Sequence, residues 1–238
     1  RGDGTFVDMT SSAHVGGDAR WGASCAFADL DGDGDLDLWV TNYVDADRHH
    51  SPVCREGTDE RFYCHPLKFD PLPNTVYRND GNGVFTDVSA ESGVGRLRSN
   101  GMGVVIVDVD DDGKPDVFVA NDSLPNFLFH NTGGMRFTEI GLAAGVAVAT
   151  DGTARAGMGI DAADYDGDGR LDLVITNLDF QMHTVSRGLD RVLFANATLE
   201  SGIGLPTLPF VGFGVSFLDF DNDAQLDIAL VNGHVLDN

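Results

Sequence analysis

Four short acidic loops recur along this chain, and an apolar, strand-like run stands on each side of every loop. Each loop carries aspartate at its first, third, fifth and ninth positions. Alternate carboxylates on a tight loop converge on one point, where their oxygens can enclose a hard cation such as Ca²⁺. We therefore predict metal loops formed by Asp29, Asp31, Asp33 and Asp37; by Asp108, Asp110, Asp112 and Asp116; by Asp164, Asp166, Asp168 and Asp172; and by Asp219, Asp221, Asp223 and Asp227.

The end of the motif separates these loops from an EF-hand, which needs a glutamate at its twelfth position and a helix on each side. Here the twelfth position is apolar in every loop and the flanking runs are short and β-rich, which excludes an EF-hand. An acidic turn without a metal is the alternative, which the fourfold repetition disfavours. The predicted ligand set is the four aspartates plus the backbone carbonyl of the seventh residue. That residue is Asp35, Lys114, Arg170 and Gln225 in the successive loops.

The predicted cofactor is therefore Ca²⁺, with up to four ions. Two carboxylates about 4 Å apart repel each other by roughly 4 kcal/mol at an effective dielectric near 20, so we expect the calcium to be structural. The sharp turn at the sixth position should need a positive φ, which glycine supplies in the first three loops. The fourth loop has Ala224 there, and a left-handed alanine costs about 1 to 2 kcal/mol. We expect the fourth site to be the weakest.

The net charge of −23 disfavours two classes of partner. Nucleic acid and anionic lipid attract Lys and Arg, which Asp and Glu greatly outnumber in this chain. No stretch approaches the roughly 20 apolar residues that cross a bilayer, so we predict no membrane span. Glycine is frequent and long runs of helix formers are few, which indicates turns and strands. The composition therefore predicts an acidic, globular protein rich in β structure.

The repetition extends beyond the loops. Residues 74–87 and 126–139 each hold two apolar-aromatic runs around an Asn and Gly-rich turn, which predicts a β-hairpin. Residues 191–196 match the first strand of this hairpin but lack the glycine turn. The loops start 79, 56 and 55 residues apart, and each period thus supplies about four strands, which is typical of a repeat fold. Every loop also has a glycine seven residues before it (Gly22, Gly101, Gly157, Gly212), a small residue two positions later (Ser24, Gly103, Gly159, Gly214) and a trailing asparagine (Asn42, Asn121, Asn177, Asn232).

The repeats divide residues 1–238 into segments of one predicted domain. Both ends cut through the pattern, so we expect the chain to be part of a longer protein. The segments are the end of a preceding unit at 1–20, a unit at 21–98 with a cysteine-containing insertion at 43–73, units at 99–153 and 154–208, and the start of a further unit at 209–238.

The insertion is long for a loop, and loops of this size usually carry function or contact a partner. We expect it to hold partner specificity, with an inert excursion as the alternative. A disulfide between Cys54 and Cys64 is the preferred interpretation of its cysteines, and it would indicate an oxidising compartment outside the cytosol. The alternatives are free thiols and a metal site that also uses His49, His50 or His65.

Aromatic residues recur at strand spacing along the predicted hairpins. We expect Tyr77, Phe85, Phe129, Phe137 and Phe194 to pack in the core rather than to form a platform for sugars. The histidines outside the insertion are expected to be hairpin or loop residues rather than ligands. They are His14, His130, His183 and His234.

The loops, their glycine lead-ins and their trailing asparagines resemble the FG-GAP or VCBS-type repeats of integrin-α-like β-propellers. Three further features are similar to bacterial relatives of the cartilage acidic protein family: Phe62 to Pro66, the hairpin from Tyr77 to Asp87, and Asn232-Gly-His234. The resemblance implies an all-β propeller, usually seven-bladed, that is secreted and holds calcium between the outer-lying strands of each four-stranded antiparallel blade. About four blades would lie in this chain.

Two functional classes are compatible with these features. The first is a noncatalytic scaffold or interaction module, secreted to the extracellular space or the periplasm, that binds a protein or glycan partner and can belong to a larger assembly. The second is the propeller domain of an extracellular polysaccharide lyase or hydrolase, or an accessory subunit of such an enzyme. The chain has no Gly-x-Ser-x-Gly elbow, His-Glu-x-x-His pair or phosphate-binding loop. We therefore expect the first class, with no catalytic residue.

Overall fold

Antiparallel strands dominate the part of the chain that the structure describes. The computed structural model covers residues 2–16, 20–47, 49–55 and 61–235, so residues 48 and 56–60 of the predicted insertion lie outside the described residues. The strands are β1 (Gly22–Ala28), β2 (Asp37–Asn42), β3 (Val44–Asp45), β4 (Cys54–Arg55), β5 (Arg61–Phe62), β6 (Asp70–Pro71), β7 (Thr75–Asn79), β8 (Phe85–Asp87), β9 (Gly101–Val107), β10 (Asp116–Asn121), β11 (Phe127–Asn131), β12 (Phe137–Glu139), β13 (Ile160–Ala163), β14 (Asp172–Ile175), β15 (Thr184–Asp190), β16 (Leu193–Asn196), β17 (Val211–Leu218) and β18 (Asp227–Gly233).

The helices within these described ranges are short. They are α1 (Ser89–Ser92), α2 (Gly141–Ala144) and α3 (Gly204–Thr207), together with 3-10 turns at Pro66–Lys68 and Val94–Arg96. None of the described helices has the length and apolar character needed to cross a membrane.

The main sheets are antiparallel and follow the order of the chain. The first has the order β1-β2-β7-β8, the second β9-β10-β11-β12, the third β13-β14-β15-β16, and a two-stranded sheet pairs β17 with β18. Two small ribbons, β3-β6 and β4-β5, lie within the insertion. The prediction of an all-β chain with four-stranded antiparallel sheets is confirmed.

Each Asp loop connects the first strand of a sheet to the second. In the first sheet Ala28 pairs with Asp37, so the loop lies between the end of β1 and the start of β2. The first strands of successive sheets contact one another, β1 with β9, β9 with β13 and β13 with β17. The loops therefore adjoin strands that face the neighbouring sheets. The expectation that they lie between outer-lying strands is wrong.

The core fills the spaces between neighbouring sheets. Trp39 of the first sheet contacts Phe129 and Phe137 of the second, with ring centroids 5.1 and 5.4 Å apart. Alternate side chains of β10 serve two interfaces, because Val117 packs with the Trp39 cluster whereas Phe118 packs with the third sheet. The expected packing role of the hairpin aromatics is confirmed for Tyr77, Phe129, Phe137 and Phe194, which are buried, whereas Phe85 is partly buried.

The third sheet corrects one strand assignment. Residues 191–196 are predicted to begin a hairpin, but β16 is its second strand and pairs with β15. The first strand of this hairpin is β15, in which Val185 pairs with Val174 of β14. The prediction is wrong because the turn before β16 is much shorter than the glycine turns of the other sheets. It passes through Arg191, whose φ is 48°.

Before the second and third loops, the second glycine allows neighbouring sheets to approach closely. A Cβ atom on Gly103 would lie 2.4 Å from the carbonyl oxygen of Met158, which precedes the first strand of the next sheet. A Cβ atom on Gly159 would lie 2.3 Å from the carbonyl oxygen of Phe213 in the sheet after that. Real Cβ atoms do not approach backbone oxygens so closely. These positions therefore need glycine for contact between sheets rather than for a turn.

The Gly159→Ala substitution should destabilise the protein by at least about 2 kcal/mol, because the added methyl group overlaps a backbone atom that cannot rotate away. Urea unfolding measures this change. Gly22→Ala is the matched control, since its Cβ would meet Cγ1 of Val40 at 3.4 Å and the carbonyl oxygen of Thr41 at 4.0 Å, which are ordinary contacts. We expect the control to change the free energy of unfolding by less than about 1 kcal/mol. Equal effects of the two substitutions would contradict the proposed close approach.

Candidate functional site

Three carboxylates of every Asp loop lie close enough together to share one ion. One oxygen from each member of a group lies within 4.8 Å of the others. The groups are Asp29, Asp31 and Asp33; Asp108, Asp110 and Asp112; Asp164, Asp166 and Asp172; and Asp219, Asp221 and Asp227. Among the described residues, Asp37, Asp168 and Asp223 are predicted ligands outside these groups, and Asp116 instead joins Asp110 and His130.

The first aspartate shapes the loop through hydrogen bonds from the backbone. The N–H groups of Asp33 and Gly34 donate to the two oxygens of Asp29, at 3.1 and 3.0 Å. The same two bonds recur from the fifth and sixth residues to Asp108, Asp164 and Asp219. These bonds close a turn whose sixth residue has a positive φ, including Ala224 at 68°. The expected left-handed alanine is therefore present in the fourth loop.

The aspartate at the ninth position of each loop, called the ninth aspartate below, joins its loop to the rest of the sheet. Oδ2 of Asp37 accepts from the N–H of Leu30 in the loop at 2.8 Å, and Oδ1 accepts from the N–H of Asn79 in β7 at 2.8 Å. Asp116 and Asp172 repeat this pattern with Val109 and Asn131 and with Tyr165 and Gly188. In the fourth loop, Asp227 is exposed and accepts from Phe220 at 3.0 Å.

Burial raises the pKa of Asp37, Asp116 and Asp172, although the backbone donors act in the opposite direction. In the first loop, burial and the charge of Asp33 also raise the pKa of Asp31. A raised carboxyl pKa means that the ionised form lacks compensating positive charge. The loops therefore provide an environment that a cation would stabilise.

The seventh residue of each loop donates its backbone N–H to the fifth aspartate. The donors are Asp35, Lys114, Arg170 and Gln225, at 2.8 to 2.9 Å. The side chains of Lys114 and Arg170 also form ion pairs with Asp112 and Asp168. The bond from Lys114 lowers the pKa of Asp112. Ligation by the carbonyl groups of these seventh residues stays a prediction.

The second loop contains an oxygen with an unmet requirement. Oδ1 of Asp110 is buried and accepts no hydrogen bond within the described part of the chain. A buried carboxylate oxygen without a donor is costly, and a divalent cation would remove that cost. The loop offers carboxylate oxygens, which Ca²⁺ prefers. The donor set therefore fits a calcium ion.

His130 is a member of the site that the sequence analysis assigned only to the hairpin. It lies in β11, and its Nδ1 is 3.0 Å from Oδ1 of Asp116. The next residue, Asn131, donates its backbone N–H to the same oxygen at 2.7 Å. His130 directly precedes the asparagine that begins the glycine turn of its hairpin, and this position in the strand next to Asp116 is the signal that could have identified it.

Asparagine side chains connect the ends of the second strands to the hairpins and the first Asp loop to the second. The side-chain amide of Asn42 donates to the Pro73 carbonyl at 2.9 Å, and Asn121 and Asn177 form equivalent bonds beyond their own strands. The amide of Asn131 donates to the carbonyl of Pro115 at 3.0 Å and to that of Leu30 at 2.9 Å. Because Leu30 lies in the first loop, Asn131 links the loops of two sheets.

The insertion contains the predicted disulfide. Cys54 and Cys64 are bonded, with their Cα atoms 5.3 Å apart, and they lie at the small β4-β5 ribbon. This bond excludes both alternatives for the two thiols, free cysteines and metal ligands. Nearby, Nδ1 of His50 lies 2.5 Å from Oδ2 of Asp47. The disulfide fixes Cys54 and Cys64 relative to each other.

A cleft of about 810 Å³ opens beside this part of the insertion. Tyr63, Cys64 and His65 supply one side. Residues at the starts of the first strands, including Trp21 and Phe213, and residues just after the ends of the second strands supply the rest. The sequence analysis missed this cleft because its residues come from segments that are far apart in the chain and share no motif.

Comparison with known proteins identifies repeats along much of the chain. The family model described as FG-GAP-like repeat matches residues 1–40, 62–119 and 108–175. Cartilage acidic protein 1 of Homo sapiens is 30% identical over 217 residues, which are 89% of this chain and 29% of that protein. The Mus musculus protein is 28% identical over 214 residues, with the same shares. The chain thus spans about three tenths of the length of these curated relatives, and neither supports the bacterial part of the expected resemblance.

Two solved structures are weakly similar to the chain. A rhamnogalacturonan lyase of Bacillus licheniformis aligns with a TM-score of 0.46 at 12% identity, covering 87% of this chain and 39% of that one. An exotype rhamnogalacturonan lyase aligns with a TM-score of 0.43 at 13% identity, covering 87% and 38%. Similarity at this level carries no argument about the reaction or the ligand.

Asn131→Ala should destabilise the protein by about 2 to 3 kcal/mol, because it leaves the buried Leu30 carbonyl and the part-buried Pro115 carbonyl without this donor. Asn79→Ala is the matched control. The side-chain oxygen of Asn79 accepts from the turn N–H of Gly81, as that of Asn131 accepts from the N–H of Gly133. The side-chain amide of Asn79, however, donates to the carbonyl of Leu36 at an exposed position. We expect the control to cost less than about 1 kcal/mol in urea unfolding. Similar costs would show that the link between loops contributes nothing.

Proposed function

Because this chain belongs to the FG-GAP-like repeat family, we propose that it is a segment of a calcium-stabilised β-propeller that acts outside the cytosol as a noncatalytic interaction module. Three successive four-stranded sheets, whose first strands contact one another, support a radial arrangement of blades. The blades would occupy residues 21–98, 99–153 and 154–208, flanked by parts of further blades at 1–20 and 209–238. A ring of seven blades would need roughly 400 residues.

The convergence of three carboxylates in every Asp loop is the observation that carries the calcium assignment. In the first two loops the aspartates at positions one, three and five would hold the ion. In the last two loops those at positions one, three and nine would do so. Bound calcium would supply the positive charge that offsets carboxylate repulsion in each loop. The buried Oδ1 of Asp110, which has no donor within the described residues, supports this assignment most directly.

The disulfide supports a location in an oxidising compartment. Disulfides persist in secreted and periplasmic proteins and are rare in the cytosol. The bond between Cys54 and Cys64 closes the insertion beside the cleft. Extracellular fluids also contain the millimolar calcium that low-affinity loops require, since extracellular modules typically have dissociation constants of about 0.1 to 1 mM.

The role as an interaction module rests on the cleft and on the insertion that forms one side of it. Rigid sheets position such loops for recognition, which is how many binding proteins present their contact residues. A protein or glycan partner suits an acidic surface better than nucleic acid or anionic lipid, because the chain carries a net charge of −23. The enzyme alternative, a lyase or hydrolase propeller domain, stays a prediction without a structural argument in its favour.

Two reciprocal substitutions test the calcium loops. Ala224→Gly should strengthen the fourth site about five- to tenfold, because glycine adopts the left-handed conformation without the roughly 1 kcal/mol cost of alanine. Gly169→Ala should weaken the third site by a similar factor, since its Cβ would meet nothing within 4 Å and only the backbone is strained. Calorimetric titration with calcium measures both, and melting with and without chelator gives an independent readout. Absence of calcium binding, or two unchanged titrations, would contradict structural calcium.

Affinity capture tests the interaction role. The native chain, immobilised in calcium buffer, should retain a stoichiometric protein partner from the extracellular extract of its source, and chelator should release it. The control bait carries Asp31→Asn, Asp110→Asn and Asp166→Asn, which remove one carboxylate from each of the first three loops. Retention that is equal in calcium and chelator would argue against a calcium-held module. Turnover of a polysaccharide by the isolated chain would support the enzyme class instead.

A further inference from the structure

The cleft lies at the opposite end of the first strands from the Asp loops. Gly22 at the start of β1 lines it, whereas the first Asp loop begins just after the end of the same strand. A strand of this length spans roughly 20 Å. The cleft is therefore separate from the metal loops, and a ligand there would not contact the ion.

Aromatic faces are exposed along the cleft. The ring of Trp21 is 56% exposed and meets Tyr43 edge-on, with centroids 5.6 Å apart at an angle of 83°. This packing holds the indole in place while much of its surface stays open to solvent. Tyr63, next to the disulfide, is 82% exposed, and Phe213 is 39% exposed. Large exposed rings around a concave surface are typical of a recognition site.

The charged groups of the cleft are acidic. Among the described residues that line it, Asp122 and Asp179 supply carboxylates, His65 and His234 supply imidazoles, and none is Lys or Arg. The guanidinium of nearby Arg20 is directed elsewhere, since its Nη1 donates to Oγ1 of Thr75 at 3.2 Å. The cleft thus combines negative charge with open aromatic surface.

Hydrogen bonds fix the position of the Asp122 carboxylate. The hydroxyl of Tyr43 donates to its Oδ2 at 2.6 Å, and the hydroxyl of Ser123 donates to its Oδ1 at 2.9 Å. Burial and the bond to Asp122 raise the pKa of Tyr43, so this phenol remains a donor at physiological pH. Each carboxylate oxygen can accept a second bond. Asp122 therefore presents a fixed anion next to Tyr43, whose ring contacts Trp21, and all three residues line the cleft.

We propose that this cleft binds an arginine- or lysine-bearing segment of a basic partner protein, with the cation placed between the Asp122 carboxylate and the face of Trp21. A cation is attracted both by a carboxylate and by an aromatic face, and this cleft offers the two together. The charge of −23 on the chain would attract a basic partner at long range. The volume of about 810 Å³ exceeds one side chain and accommodates a short peptide segment. This inference rests on the proposed role as an interaction module and names its ligand class.

The test compares peptides that differ only in charge. An acetylated and amidated octapeptide of alternating glycine and arginine is titrated into the full chain in calcium buffer at physiological ionic strength. Its twin carries citrulline, which keeps the shape of arginine and removes the charge. We expect the arginine peptide to bind at least tenfold more tightly and to shift the emission of Trp21, since Trp39 is buried far from solvent. A neutral hexasaccharide is titrated in parallel.

Two matched variants separate the cleft from general charge attraction. Asp122→Asn keeps an acceptor for Tyr43 and removes the anion, so it should weaken the arginine peptide about tenfold. Asp190→Asn removes the same charge from an exposed strand end outside the cleft, and we expect less than a twofold change. Equal binding of the arginine and citrulline peptides, equal effects of the two variants, or a preference for the hexasaccharide would overturn the proposal.

The affinity capture distinguishes this failure from failure of the proposed function. A partner that is captured in calcium and still binds the Asp122→Asn variant would leave the interaction role intact and overturn the cation site. Charge-selective peptide binding that depends on Asp122, without capture of any partner, would support the cation site and count against the interaction role.

Discussion

The ninth aspartate of each loop is the group on which the architecture depends. In the first three loops it is almost completely buried, and its two oxygens accept from the loop and from the third strand of the same sheet. The carboxylate, at the start of the second strand, thereby joins this strand to its own loop and to the third strand. In the first sheet the third-strand donor, Asn79, lies 42 residues further along the chain. Burial raises its pKa, so the folded protein holds this anion against a desolvation cost. A cation in the adjacent loop would reduce that cost, and the proposed metal binding would then be coupled to the integrity of the sheet.

Contact between sheets depends on a different set of residues. Gly103 and Gly159 let backbones approach where any side chain would collide, and Asn131 joins the first and second loops through a buried amide. The aromatic clusters fill the remaining space, with Trp39 on one interface and Phe118 on the next. Each sheet therefore cannot shift without disturbing its neighbour. The recurring glycines before the second and third loops thus serve contacts between sheets, whereas Asn42, Asn121 and Asn177 hold the end of a second strand to the hairpin of the same repeat.

The sequence predicts the repeated parts of this structure and not the parts that differ between repeats. The glycine lead-in, the Asp loop and the trailing asparagine keep a fixed spacing within every repeat, and glycine turns mark the first two hairpins, so these patterns report local backbone geometry directly. The third hairpin was misassigned because a short turn at Arg191 replaces the glycine turn, so Phe194 was matched to the wrong strand. His130 was missed because its contact with Asp116 joins two strands. The cleft depends on long-range contacts among unlike segments, for which a single sequence holds no periodic signal.

The two ends of the first strands carry different kinds of chemistry. At one end, converging carboxylates, joined in the second loop by His130, form a point that suits a hard metal ion, and the surrounding contacts recur from sheet to sheet. At the other end, carboxylates lie beside exposed aromatic rings, and one wall comes from an insertion found in a single repeat. Repetition favours the first arrangement, because every sheet needs the same stabilisation. Recognition favours the second, since a partner can be distinguished only by features that the repeats do not share. The disulfide lies at this second end, where the insertion lacks the support of a main sheet and a covalent link holds Tyr63 beside the cleft.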